Sequence, residues 1–324
     1  MRQGQFLKFI MFGIFIFAVS EVNAYHYDDV EVKPSYLKKE KKYTEFEQNL
    51  IDKNKAISNW FDSVAEGIDL FLVGERISNK KNASRITFEN TTFSRESRNL
   101  TNLTSVSVNP RFHNLEAYWN LKFTTYDEQA TSRATEGGYA RATPREQNYG
   151  ATVGLFKKMK NVRFAFQPRI ELQNPLRVSH SLSGQSVLVL GKLQINPKLE
   201  FFANATKGVG TAQALNFNYP LDSVYSLTFV NTGEYEDKLN KYSVINAVYL
   251  GQMIAENKAL TYGITLFSNN RPNYHLEAYS FSVMWSQVLY RNILDLQAGP
   301  HFDFVEQERF KGYVGALLTL SLHF

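Results

Sequence analysis

The last sixteen residues, Arg309 to Phe324 (RFKGYVGALLTLSLHF), constrain this chain more than any other stretch. Counting back from Phe324, Leu322, Leu320, Leu318, Ala316 and Val314 fall on every second position, with Tyr313, Gly315, Thr319, Ser321 and His323 between them. A side-chain period of two belongs to an extended strand with one apolar face and one mixed face. Such a strand closes either a soluble sandwich or a barrel that faces lipid.

The same rhythm fills most of the chain. Alternating segments are expected at 84–93, 102–111, 117–127, 147–157, 161–172, 185–195, 198–206, 211–219, 223–232, 241–251, 259–268, 274–287, 292–304 and 310–324, fourteen in all. Most are near the roughly 9–11 residues that a tilted strand needs to cross the hydrocarbon layer. The segments 84–93 and 211–219 are the weakest, and twelve strands remain without them. Tight connections are expected near His113–Glu116, Lys158–Lys160, Asn196–Pro197, Pro220–Asp222, Glu256–Lys258 and Tyr290–Asn292, and longer polar ones at Asp127–Gln147, Gln173–Gly184 and Gly233–Asn240. Short turns at one end and longer loops at the other are the habit of transmembrane barrels.

A final strand that ends flush on an aromatic residue resembles the closing strand of bacterial outer-membrane β-barrel proteins. That resemblance implies that Phe324 and the alternate apolar positions are read by the barrel-assembly machinery, and that the surroundings are outer-membrane lipid and lipopolysaccharide. The fold class follows: all-β, a transmembrane antiparallel up-and-down barrel of about fourteen strands with a short N-terminal helical extension.

Residues 1–24 carry Arg2 and Lys8 before the apolar run Phe9–Val19, and Val22 and Ala24 precede a cleavage point at Tyr25. A run this short is read as an export signal, not as a membrane anchor. Its removal leaves 34 basic against 30 acidic residues, a net of +4, which is no nucleic-acid-binding charge density. There is no cysteine in an exported chain, and a barrel held by its own backbone hydrogen bonds needs none. Sequons at Asn82, Asn90, Asn99, Asn102 and Asn204 are products of an Asn- and Thr-rich composition.

Residues 25–80 form the extension. Its first part, 25–43, is charge-dense and poor in aliphatics, and reads as solvated and flexible. Ile57, Trp60, Phe61, Val64, Ala65, Ile68, Phe71 and Leu72 then recur at helical spacing, predicting an amphipathic helix in the periplasm. It serves as a cap on the barrel mouth, a plug or a tether. The stretch NWFDSVAEGIDLFLVGER is similar to the N-terminal segment of certain proteobacterial barrel proteins, a likeness that implies no activity.

Parity assigns the faces of the barrel at 84–324. Outward positions include Trp119, Leu121 and Phe123; Phe164 and Phe166; Leu199 and Phe201; Leu227 and Phe229; Tyr262 and Ile264; and Phe281 and Val283. The opposite parity holds Arg85, Glu89, Glu171 and His301, a basic wall of Arg111, Lys122, Arg163, Arg169 and Lys192, and an acidic wall of Glu200, Asp295 and Asp303. Opposed walls would set a transverse field across a wet lumen, a feature that general porins resemble.

For chemistry the pattern offers little. Ser179-His180-Ser181 falls in an expected polar loop, and His301 and Asp303 share a strand face without a nucleophile–base–orienter set. Six histidines at no ligand spacing predict no metal site, and no cofactor motif is present. The leading expectation is therefore a non-enzymatic passive pore for small hydrophilic solutes in the outer membrane of a Gram-negative bacterium. A non-conducting structural or surface-contact barrel is the alternative, and a lipid-modifying enzyme the third.

Overall fold

The computed structural model describes residues 48–49, 52–59, 84–96, 98–110, 119–127, 147–290 and 293–324. Its body is a closed ring of fourteen antiparallel strands. These are β1 (Arg85–Arg95), β2 (Thr101–Asn109), β3 (Trp119–Thr124), β4 (Gly150–Met159), β5 (Val162–Glu171), β6 (Arg177–Ser186, continued by Leu188–Leu190), β7 (Leu193–Asn204) and β8 (Gly208–Pro220). They continue as β9 (Tyr225–Glu236), β10 (Lys241–Ala255), β11 (Lys258–Asn269), β12 (His275–Tyr290), β13 (Leu294–Val305) and β14 (Gly312–His323). Each strand pairs with its neighbours in sequence, and β1 pairs with β14 to close the ring. Closure removes every free edge, which is what lets strands stand in lipid.

The residue pattern explains the faces. In β14, Val314, Ala316, Leu318 and Leu320 point out, while Gly315, Leu317 and Thr319 are buried inside. Phe164 and Phe166 on β5, Phe201 on β7, Phe229 on β9, Ile264 on β11, and Phe281 and Phe302 on β12 and β13 are likewise exposed on the outside. An apolar belt on this scale is the surface of a protein that lies in hydrocarbon. Inside, serines, threonines, small residues and charges alternate with it.

Three expected boundaries move. The run 185–195 is not one strand, because Gly191, at φ +61°, and Lys192 form a turn, leaving Leu188–Leu190 with β6 and starting β7 at Leu193. Asn196–Pro197 is consequently inside β7, not a turn. Gln185↔Lys198 and Leu188↔Ile195 share one register, which puts the break at Val187 opposite Asn196, next to Pro197, whose missing N–H cannot complete the ladder. The second shift concerns Gln173–Gly184, expected as a loop: only 172–176 connect, and Arg177–Ser186 is strand. The loop expected at Gly233–Asn240 shrinks to 237–240.

The connections at the end bearing Phe324 are short at 160–161, 191–192 and 256–257; the opposite end carries the longest, at 125–149. At that short-turn end Asp222 caps its own turn, accepting from the backbone N–H groups of Val224 and Tyr225 at 2.7 Å each, and these bonds hold its carboxyl below the ordinary carboxylate range. Helix is present at residues 48–49 and 52–59, where Asn54 Nδ2 donates to the His323 carbonyl at 2.7 Å. The helix therefore touches the barrel where β14 ends. The rest of the predicted helix, the export signal at 1–24 and Arg111 lie outside the described residues.

Candidate functional site: the charged lumen

The inner wall is the only surface of the described barrel on which charge is concentrated between strands. Of the expected basic wall, Lys122 on β3, Arg163 on β5 and Arg169 on β5 do face inward, as their pairing rows require. Lys192 does not, because it lies in the turn between β6 and β7 and is exposed to solvent there. Glu200, Asp295 and Asp303 all face inward.

The acidic residues are split: Glu200 stands beside the basic strands, while Asp295 and Asp303 stand on β13, separated from them by β14, β1 and β2. Glu200 on β7 sits in a cross-strand row with Ser183 and Ala165, next to the basic strands, and Lys198 Nζ lies 3.4 Å from its carboxylate. Asp295 faces His323, whose Nε2 is 2.9 Å from Oδ2, while Thr87 Oγ1 is 3.2 Å from the other ring nitrogen. Asp303 accepts from Ser280 Oγ at 2.8 Å and lies 3.0 Å from His301 Nδ1 and 3.7 Å from Arg95 Nε. Each acid has thus found a base on its own or a neighbouring strand. Such pairing offsets part of the cost of taking the charges out of water.

Arg169 plays a different part from the one its charge suggests. Its side chain is fully buried, with Nη1 donating to Thr124 and Thr152 at 2.8 and 3.1 Å and Nη2 donating to the Asn148 carbonyl at 2.6 Å. It binds β3, β4 and β5 to the end of the 125–149 connection. Arg163 is the exposed member of the group, its guanidinium 4.6 Å over the Phe156 ring.

Two groups that the charge pattern left out dominate the loop end. Arg95, at the last position of β1, pairs with Glu308 as well as approaching Asp303, and its guanidinium lies 4.6 Å over Tyr313. It lay beyond the expected end of its strand at residue 93, although its parity with Glu89 was readable. Lys207, in the connection between β7 and β8, is 2.6 Å from Glu234 and 3.0 Å from Glu236. Burial works against its charged form, but the two carboxylates outweigh that and raise its pKa above the ordinary lysine value.

Ser280, Asp303 and His301 contain the residue types of a hydrolytic triad in the wrong order. The serine bonds to the aspartate, not to the histidine, and His301 is stacked on Phe93 with ring centroids 4.8 Å apart and its Nε2 edge turned to Gly315. Among the described residues, Ser280 is not placed to pass its proton to His301. His180, expected in a loop, is on β6 and faces outward opposite Pro168 and Ala203. Among the described residues no group of three His, Cys, Asp or Glu side chains is placed to hold a metal ion.

A closed antiparallel ring, apolar outside and polar within, defines this chain as a transmembrane β-barrel of the outer-membrane type. No family model matches the sequence, and no curated protein matches it. Among solved structures it is similar to OmpT of Vibrio cholerae as expressed in the outer membrane, with a TM-score of 0.46 and 6% identity over 77% of this chain and 100% of that one. The outer membrane channel DcaP of Acinetobacter baumannii gives a TM-score of 0.46 and 8% identity over 76% and 99% of the two chains. The KdgM porin in complex with disordered oligogalacturonate gives 0.36 and 6% over 74% and 99%. At these identities the likeness concerns architecture alone.

Proposed function

We propose that this barrel sits in the outer membrane of a Gram-negative bacterium as a restricted pore for small hydrophilic solutes, with its N-terminal segment in the periplasm. The observation that carries the reading is the polar inner face of a fully closed fourteen-strand ring, since a lumen lined with Ser, Thr and charged groups favours water and hydrated solutes over lipid. Lys122 and Arg163 are the inward cations best placed to meet an anion. Assembly through the strand ending at Phe324, and contact with lipopolysaccharide, belong to the same proposal.

A second reading has its own support. Wall residues all round the ring are shut from water: Ser181 is 1% exposed, Glu200 2%, Leu317 3% and Ala247 4%. Ser and Ala cannot reach one another across so wide a ring, and a lumen this crowded suits a non-conducting structural barrel. A lipid-modifying activity has less support, given the geometry around His301.

Single-channel recording of the refolded full chain in a planar bilayer separates these readings. Discrete steps whose ion preference shifts in Lys122→Glu with Arg163→Glu support the pore. A folded barrel that stays silent, and still does so without residues 25–80, supports the structural reading. Phospholipid hydrolysis by the purified chain would overturn both.

A further inference from the structure

The outward face of the barrel is mostly apolar, and a four-residue polar network on it lies on β1 and β2. Asn90, the middle residue of β1, and Thr92 and Ser94 beyond it alternate outward with Phe88. On β2, Asn102 and Thr104 face outward beside them. Asn90 Nδ2 donates to Asn102 Oδ1 at 3.0 Å and to Thr104 Oγ1 at 2.9 Å. In return Asn102 Nδ2 donates to Asn90 Oδ1 at 3.0 Å and to Thr92 Oγ1 at 2.7 Å. Other outward polar groups include His180 on β6, Gln213 of β8 donating to Tyr242 of β10, and an amide pair on β9 and β10, Asn231 Nδ2 to Asn246 Oδ1 at 2.6 Å.

We infer that the β1–β2 patch is a contact between copies of this chain within the membrane. Hydrocarbon supplies no hydrogen-bond partner, so outward amides and hydroxyls that face it are costly. The network uses all four amide N–H groups, so a lone barrel can fold with the patch satisfied. It leaves over two threonine hydroxyl protons and one lone pair on each amide oxygen. Two donors and two acceptors form a self-complementary set, which a second copy of the same patch can satisfy. The neighbouring outward side chains Thr92, Ser94, Thr104 and Ala316 are small, so two barrels can approach closely, as membrane interfaces require. Asn90 is five residues from either end of β1 and Asn102 is the second residue of β2, so the patch runs from mid-strand to the loop end.

The natural absence of cysteine makes the test clean. Thr104→Cys and, as control, Ile264→Cys on the apolar β11 face are reconstituted in lipid nanodiscs or vesicles and treated with a short bis-maleimide. The expected result is an adduct of twice the chain mass from Thr104→Cys and none from Ile264→Cys. Native mass measurement in nanodiscs should show an oligomer for the unaltered chain. The double variant Asn90→Leu, Asn102→Leu should keep the heat-sensitive mobility of a folded barrel while associating about tenfold more weakly. A monomeric unaltered chain, equal cross-linking at Ile264→Cys, or an undiminished oligomer in the double variant would overturn the inference. If the double variant fails to fold, the two single-cysteine chains still decide it.

Discussion

The two seams that flank the β1–β2 hairpin are built on different terms. Between β1 and β14, nine consecutive positions from Thr87 to Arg95 pair with His323 back to Gly315. Between β2 and β3, among the described residues, Ser107↔Thr124 and Val108↔Phe123 pair as ladder positions, aided by backbone bonding of Thr125 to Val106 at 3.0 Å. The stronger seam joins strands from the two ends of the barrel's sequence, with no loop to keep them together. The weaker seam joins strands that covalent connection already holds close, so loop closure does part of the work there.

Side chains repeat the contrast. At the β1–β14 seam Phe324 exchanges backbone bonds with Ile86 at 2.8 and 3.1 Å, and its ring meets Phe88 edge-on at 5.8 Å. At the other end of the same seam, Arg95 gathers Asp303, Glu308 and Tyr313. The polar cluster thus adds to the ladder at the seam whose strands no connection joins.

The largest expected break in that comparison is Arg95→Met. Removing a buried cation leaves Asp303 and Glu308 without it and should cost about 3 kcal/mol or more, read as a lower urea midpoint for the refolded barrel. Gly315→Ala comes next. A Cβ there would collide with the His301 ring and the Ser94 carbonyl, one of them backbone, so a loss of about 1–3 kcal/mol is expected in the same assay.

Hydrogen exchange tests the seams directly. Amides of Thr104–Val108 should exchange faster than those of Thr87–Phe93, and equal protection would erase the distinction. Val108→Ala at the weak seam should cost less than either change above, about 1 kcal/mol, because Val108 is only half-buried.

The smallest effect belongs to a site remote from both seams. The lowered pKa of Asp222 means its contribution is complete above the carboxylate's unfolded value and is lost as pH falls through the lower folded value. Asp222→Asn should therefore flatten the acid limb of the stability profile slightly, leaving exchange at both seams unchanged.

Much of this was legible in the residue pattern. Period-two alternation survives wherever one face meets lipid, so thirteen of the fourteen strands, their facing, and the outward Phe, Leu and Ile positions could be read directly. The misreadings have physical causes. Arg177–Ser186 looked like a loop because its inner face is Ser179, Ser181 and Ser183, although Val178 and Leu182 kept the outer rhythm. Pro197 looked like a turn because proline usually punctuates, yet here a break in the neighbouring strand absorbs its missing N–H.

Parity also placed Asp303, Asp295 and Glu200 inside, since a strand's side-chain direction is a local property. Their partners are not local. Arg95 reaches Glu308 across 213 residues and Asn54 reaches the His323 carbonyl across 269, contacts that exist only once the ring has closed. By itself the chain's alternation determined a barrel with a greasy outside and a polar inside. Tertiary structure alone decided which charges cancel, which seam is strong and where four outward polar groups meet, because those follow from the register between strands and not from the period within one.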